Sequence, residues 1–170
     1  MKKLKNIFKH LFFIIVFATI ISGCSNTKNA NKDHIINSAD VKNMVEYKIF
    51  VFIPQNVSAM SGRKRNINSG FKISISKDTI VSYLPYFGRG YTAPLSPEDA
   101  DFDFTSTHFS TTVTPSNKGW NISIKSKDKL YIRELYFRVY DNAFASLNVT
   151  SLDRSFISYD GYIEERKPKK

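Results

Sequence analysis

The pattern of apolar and polar positions changes twice along the chain. A polar stretch at residues 25–37 is followed by Val41, Met44 and Val45, which share one face of a helix. Ser38 is a suitable N-cap for this short helix. Beyond it the apolar residues recur with a period of two, which is typical of β-strands.

The alternating segments predict about eight strands. Phe71, Ile73 and Ile75 alternate with polar residues, and a turn at Lys77-Asp78 leads into an apolar run at 79–84, which predicts a hairpin. Further strands are expected at residues 47–53, 101–104, 120–125, 130–140, 144–150 and 156–163. Pro54 is expected to end the first of these.

The gaps between the last three runs are short, which indicates antiparallel pairing because a parallel crossover needs about a dozen residues or more. We therefore predict an all-β fold, an antiparallel meander curled into a barrel or half-barrel of the lipocalin type. A two-sheet sandwich is the alternative. A bulge is expected at Arg133-Glu134, because Ile132 falls on the opposite face from Leu135 and Phe137.

A separate apolar run, residues 11–21, follows a lysine-rich start. It is too short to cross a bilayer core, which needs about 20 residues, so it is predicted to be a secretory leader rather than an anchor. Ser22, Gly23 and Cys24 follow it and resemble the bacterial lipobox. We expect residues 5–21 to form an isolated helix and residues 1–23 to be cleaved off as the leader, leaving an acylated (palmitate-bearing) cysteine as the first residue.

This processing divides the chain into four parts. They are the signal peptide at 1–23, the lipidated cysteine and flexible tether at 24–37, a single β-rich domain at 38–165, and a basic tail at 166–170. The chain has one cysteine, so no internal disulfide can form. No acidic cluster of the kind that signals surface export follows Cys24, so we expect a lipid anchor in the outer membrane, facing the periplasm.

Charge narrows the choice of partners. The formal net charge is +10, but the basic clusters are confined to residues 63–65 and 166–170. A nucleic-acid partner would need a continuous basic face, so none is expected. These clusters are solvated or lie against anionic lipid headgroups, which attract basic residues by about 1 kcal/mol each.

Metal and catalytic signals are weak, and no cofactor is predicted. Four acids lie close together: Glu98, Asp99, Asp101 and Asp103. Phe104 stands where a calcium loop starting at Asp99 requires glycine, so no metal site is predicted. His108 and these acids carry the alternative function, a hydrolase acting on envelope material, although no nucleophile elbow accompanies them.

One motif carries a resemblance. Residues 84–88, Leu-Pro-Tyr-Phe-Gly, resemble the Leu-Pro-Tyr-x-Gly signature of the family called domain of unknown function 4251. Other matching segments are Gly62-Arg63, Lys77-Asp78, Asp103-Phe104, Trp120-Asn121-Ile122 and Ser158-Tyr159-x-Gly161-x-Ile163. The resemblance covers about residues 44–163 and implies a β-rich envelope lipoprotein of Gram-negative bacteria, with no assigned activity.

The motif also contains the candidate ligand or partner loop: Tyr86, Phe87, Arg89 and Tyr91. Gly88 and Gly90 predict a left-handed or otherwise strained backbone there. Tyrosine and arginine often carry binding energy, which supports a recognition loop. We favour the other interpretation, a structural corner in which the aromatic residues plug one end of the barrel and Arg89 stacks on a ring or pairs with an acid such as Asp101 or Asp103.

These observations predict a membrane-anchored envelope lipoprotein whose activity is non-enzymatic. It would bind a small hydrophobic ligand, a glycan or a protein partner, using the mouth of the barrel and the loop at residues 86–91.

Overall fold

The computed structural model describes residues 36–68, 70–91 and 101–167. The predicted leader, Cys24, most of the tether, Glu98, Asp99 and the end of the basic tail lie outside these residues. Within the described part the chain forms one helix and ten strands. They are α1 Ser38–Tyr47, β1 Phe50–Ala59, β2 Lys64–Asn66, β3 Lys72–Ile75, β4 Ile80–Leu84, β5 Phe102–Ser106, β6 Phe109–Ser116, β7 Gly119–Ser126, β8 Ile132–Tyr140, β9 Phe144–Ser151 and β10 Ile157–Glu164.

Helix α1 has the predicted buried face of Val41, Met44 and Val45. The predicted cap is displaced by one position, because the side chain of Asn37, not that of Ser38, accepts the hydrogen bond from Ala39 N. Asparagine is as good an N-cap as serine, so the adjacent cap residues compete closely.

The strands form one antiparallel sheet in the order β5-β4-β3-β1-β10-β9-β8-β7-β6, with β2 paired to β1. Only Thr107 and His108 separate β5 from β6, although these strands lie at opposite edges of the sheet. Residues 102–116 therefore behave as one bent strand, which pairs with β4 before the bend and with β7 after it. The sheet returns on itself as a nearly closed barrel, which confirms the predicted barrel rather than the sandwich.

The local predictions hold for most of the sheet. Strands β3 and β4 form the expected hairpin, and β8, β9 and β10 form the expected antiparallel meander. The pairing of β8 with β9 shifts register between Ile132 and Glu134, which is the predicted bulge. The bulge lets Ile132 and Leu135 face the same core, since both are buried.

The predicted end of the first strand at Pro54 is wrong. Strand β1 continues through Pro54 to Ala59, and its register against β10 shifts between Pro54 and Asn56. Proline is tolerated in a strand at such a bulge. Gly161 pairs with Pro54, and a Cβ atom on Gly161 would lie 2.0 Å from the carbonyl oxygen of Ile53. The two strands can approach at this point because residue 161 has no side chain.

Aromatic side chains fill the interior of the barrel. Phe50 and Phe52 each pack edge-to-face on Phe137, with ring centres 5.7 Å apart. Tyr159 is fully buried beside them in the same core. These rings belong to one cluster of buried apolar residues, which forms the core of the domain.

Candidate functional site

The candidate loop is anchored to a second loop. Residues 85–91, which we call the motif loop, follow β4 and lie against residues 153–155, between β9 and β10. Tyr91 N donates to the carbonyl of Asp153 at 2.8 Å, and Ser155 N donates to the carbonyl of Arg89 at 2.9 Å. Arg89 N donates in turn to Ser155 Oγ at 3.1 Å. This short antiparallel contact fixes the backbone of the motif loop.

Tyr86 is the main internal support of the motif loop. Its hydroxyl donates to the carbonyl of Arg89 at 2.8 Å and lies 2.9 Å from Ser155 Oγ. Its backbone N–H donates to Asp101 Oδ1 at 2.9 Å. Tyr86 thus joins three separate segments of the chain, which is a structural role and not that of a free recognition residue.

Gly88 is needed for space and not for a left-handed backbone. Its φ angle lies outside the left-handed region, so the predicted strain is absent at this residue. A Cβ atom there would lie 2.3 Å from the Tyr86 hydroxyl and 2.7 Å from Ser155 Oγ. Both of these groups are held by hydrogen bonds, so a larger residue at 88 would displace them.

Tyr159 supports the motif loop from the core of the domain. Its buried hydroxyl donates to the carbonyl of Pro85 at 2.8 Å. Burial raises the pKa of Tyr159 far above its ordinary value, and the nearby charge of Asp101 raises it further. The hydroxyl therefore remains a donor over the whole physiological pH range.

The buried cation beside the motif loop is Arg154, not Arg89. Its guanidinium carbon lies 5.3 Å from the ring centre of Tyr86 and 4.9 Å from that of Phe102. Its Nη1 donates to the carbonyl of Asp101 at 2.9 Å, and its Nε lies 3.2 Å from Asp153 Oδ2. The predicted structural corner exists, but with a different arginine from the one that the sequence suggested.

The remaining loop residues face a surface cleft of about 520 Å³, which we call the arginine cleft. Phe87, Arg89 and Tyr91 line one side, and Arg63 lines the other. Phe87 and Tyr91 are 45% and 63% exposed, respectively, so both rings are accessible in the cleft. Three of the four predicted loop residues therefore share a cleft, whereas Tyr86 serves the fold.

The arginine cleft is basic. Arg65, on β2, places its guanidinium carbon 5.1 Å from the ring centre of Phe87 and adds a third cation at the rim. Among the described residues, no carboxylate forms an ion pair with Arg63, Arg65 or Arg89. These cations are therefore available to a ligand, as far as the described part of the chain is concerned.

His108 does not form a catalytic group. It is exposed at the bend between β5 and β6, and its Nδ1 lies 3.2 Å from the hydroxyl of Thr107. The carboxylate of Asp128 lies at this bend. It accepts hydrogen bonds from Ser106 Oγ and from the backbone N–H groups of Thr107 and His108. Asp128 contacts the His108 backbone and not its ring, so it holds the bend and does not orient a base.

The hydrogen bonds also determine the charge of Asp128. Donation from Ser106 Oγ and then from Thr107 N lowers the pKa of Asp128 well below its ordinary value. The carboxylate therefore remains ionised in mildly acidic conditions. Of the acids that were grouped with His108, the structure describes two: Asp101 accepts a hydrogen bond from Tyr86 N in the motif loop, and Asp103 is exposed on β5. Glu98 and Asp99 lie outside the described residues.

No helix among residues 36–68, 70–91 and 101–167 is long and apolar enough to span a membrane. The same residues contain no group of three or more histidine, cysteine, aspartate or glutamate side chains that could hold a metal ion.

The sequence analysis missed Arg154, Ser155 and Asp128. Arg154 has no signal in the sequence, because loop charges carry no period that marks them as buried. Asp128 has a local signal: a serine two residues earlier, Ser126, forms a hydrogen bond with its side chain at 2.9 Å. The local pattern does not show that Ser106, on the distant strand β5, also donates to Asp128.

Comparison with known proteins agrees with this architecture. The family model DUF4251, a domain of unknown function, matches residues 33–163. A crystal structure of a DUF4251 family protein from Bacteroides eggerthii DSM 20697 is similar in fold, with a TM-score of 0.54 and 10% identity. The alignment covers 75% of this chain and 87% of that one. A comparison with curated proteins finds no match. Because the family model spans most of the barrel and the motif loop, the chain belongs to the DUF4251 family.

Proposed function

We propose that this protein is a membrane-anchored envelope lipoprotein with a non-enzymatic binding function, and that the arginine cleft binds an anionic ligand. The anchor would be the lipid on Cys24, most simply in the outer membrane and facing the periplasm. The observation that carries the binding proposal is the meeting of Arg63, Arg89 and the exposed ring of Phe87 in one cleft.

The charge of the cleft favours an anion over a purely hydrophobic ligand. A guanidinium presents several donors in a plane that matches carboxylate and phosphate groups. The exposed rings of Phe87 and Tyr91 would contact the apolar part of the same ligand. The packed aromatic interior of the barrel supports this choice, since it argues against a hydrophobic ligand held inside.

The rigidity of the motif loop also supports binding. The hydrogen bonds of Tyr86, Ser155 and Tyr159 hold its backbone before any ligand arrives. Preorganised contact residues lose less conformational entropy on binding. The structural corner and the recognition loop are therefore compatible: Tyr86 stabilises the loop, and Phe87, Arg89 and Tyr91 are left for contact.

A binding titration with paired probes tests this function. The full-length chain, in micelles of a neutral detergent, is titrated with glucose 6-phosphate, with glucose and with inorganic phosphate. A parallel series adds phosphatidylglycerol to the micelles, which distinguishes a lipid headgroup from a soluble anion. We expect at least one anionic probe to bind, and glucose to bind much more weakly at this cleft.

Matched variants locate the binding. Arg63→Gln and Arg89→Gln should each weaken anion binding by about tenfold, which corresponds to roughly 1.4 kcal/mol. Lys64→Gln is the control, because Lys64 is adjacent in sequence but pairs with Asp160 at 3.0 Å outside the cleft. Equal losses in all three variants would indicate general charge attraction and would contradict a specific site. So would an absence of binding by every anionic probe.

A further inference from the structure

A second cleft, on the other side of β2, has a different chemistry. It has a volume of about 480 Å³ and lies between β1 and the segment that follows β2. Its polar side chains are carboxamides: Gln55, Asn56, Asn66 and Asn68. We call it the amide cleft. None of the residues that line it is charged, although charged residues make up 24% of the whole chain.

The β1 bulge shapes this cleft. The register shift between Pro54 and Asn56 leaves Gln55 without a partner on β10. The carbonyl of Gln55 instead accepts a hydrogen bond from Ile67 N at 2.8 Å, which holds the segment after β2 in place. Gln55 and Asn66 are exposed, so their amide groups are accessible to a ligand. Bulges commonly redirect side chains in this way next to binding sites.

Aromatic rings form the apolar part of the amide cleft. Phe71 lies in its lining and is half-buried, and it stacks on Tyr83 with ring centres 5.0 Å apart and planes at 23°. Tyr162 is also half-buried in the lining. Burial, followed by the charge of Glu164, raises the pKa of Tyr162, so its hydroxyl stays neutral and can donate.

We propose that the amide cleft binds an uncharged saccharide. Each sugar hydroxyl is both a donor and an acceptor, and a carboxamide likewise provides both functions in one plane. The C–H face of a pyranose ring can pack on an aromatic ring such as the half-buried ring of Phe71, and this combination of a few polar groups with aromatic surface is typical of ligand sites. The absence of charge in the lining favours a neutral sugar over the anion proposed for the arginine cleft.

The test titrates the full-length chain with uncharged disaccharides. The probes are maltose, cellobiose and N,N′-diacetylchitobiose, and the detergent must contain no sugar headgroup. We expect at least one disaccharide to bind with a dissociation constant below about 10 mM, which is weak but measurable by NMR or calorimetry. No binding of any of the three at that concentration would overturn the proposal.

Variants at exposed positions assign the site without risk to the fold. Gln55→Ala and Asn66→Ala should each weaken disaccharide binding by at least about fivefold, since each removes a donor and an acceptor. Asn117→Ala, at the exposed turn between β6 and β7, is the matched control and should bind normally. Binding that is equal in all of these proteins would place the sugar elsewhere and refute the assignment.

The two clefts can be tested independently. Arg63→Gln and Arg89→Gln should leave disaccharide binding unchanged, because neither residue lines the amide cleft. Loss of disaccharide binding in those variants would show that the sugar occupies the arginine cleft. That result would refute sugar binding at the amide cleft.

Discussion

Arg154 and Tyr86 stack on each other across 68 positions of sequence, with the guanidinium carbon 5.3 Å from the ring centre. Phe102 contacts both residues, since its ring is 5.2 Å from that of Tyr86 and 4.9 Å from the guanidinium. The side chain of Arg154 is only 10% exposed. A charge that is this buried depends on its partners, so its removal should affect folding more than binding.

We therefore expect Arg154→Ala to lower the free energy of unfolding by about 2 kcal/mol or more, since it leaves Asp153 unpaired and removes two cation–π contacts. The corresponding fall in melting temperature is roughly 6 °C or more. Arg89→Ala is the control, because Arg89 is exposed and only its backbone supports the loop. A greater loss of stability in Arg89→Ala than in Arg154→Ala would contradict this assignment.

Gly88→Ala should destabilise the domain by about 1–3 kcal/mol, because the new Cβ atom would collide with the Tyr86 hydroxyl and Ser155 Oγ. Chemical denaturation measures this change. The same substitution in a Tyr86→Ala background should cost less, since neither the hydroxyl nor the ring carbon Cζ with which the Cβ atom collides is present there. Strictly additive losses in this double-mutant cycle would mean that the collision is not the cause.

The Asp128 cluster predicts a defined pH dependence. Because the pKa of Asp128 is lower in the folded state, its stabilising contribution is complete above the ordinary carboxyl pKa of about 3.9 and is lost as the pH falls below it. Asp128→Asn should therefore lower the melting temperature at pH 7, with a difference from the unmodified chain that shrinks towards pH 2.

Asp103→Asn serves as the control for this measurement, since Asp103 is an exposed acid on β5, the strand whose Ser106 donates to Asp128. It should change the melting temperature little at any pH. An Asp128→Asn difference that stayed constant from pH 7 to about pH 2 would rule out ionisation of Asp128 as its origin.

Lipidation at Cys24 is tested by Cys24→Ala, which should abolish labelling with radioactive palmitate and leave an uncleaved precursor. Thr27→Ala, three residues further along in the tether, should be labelled and processed normally. A Cys24→Ala protein of mature size that still partitions into detergent would refute the lipoprotein assignment.

Local periodicity was sufficient to predict most of the sheet. The β3–β4 hairpin and the β8 bulge depend on alternation between neighbouring residues, which is visible in the sequence. Strand β2 has no such signal, because its three residues are all exposed. Its existence depends on pairing with β1, which lies elsewhere in the chain.

The candidate site was predictable only in part, for a similar reason. The motif loop could be located from Pro85 and Gly88, whose backbone and steric properties are local. The identity of the buried arginine depends on which two loops meet, and that is decided by the long-range pairing of β1 with β10 and β3. Sequence composition could not distinguish Arg89 from Arg154.

The pairing of β1 with β10 places the start of the basic tail and the arginine cleft at opposite ends of β1. Val51 pairs with Glu164, so the start of the basic tail leaves the barrel where β1 begins. Ala59 pairs with Ile157 at the other end of β1 and lines the arginine cleft, about 25 Å away along the strand. If the tail rests on anionic headgroups, the cleft points away from them, and a ligand would reach it from the aqueous phase rather than from the lipid surface.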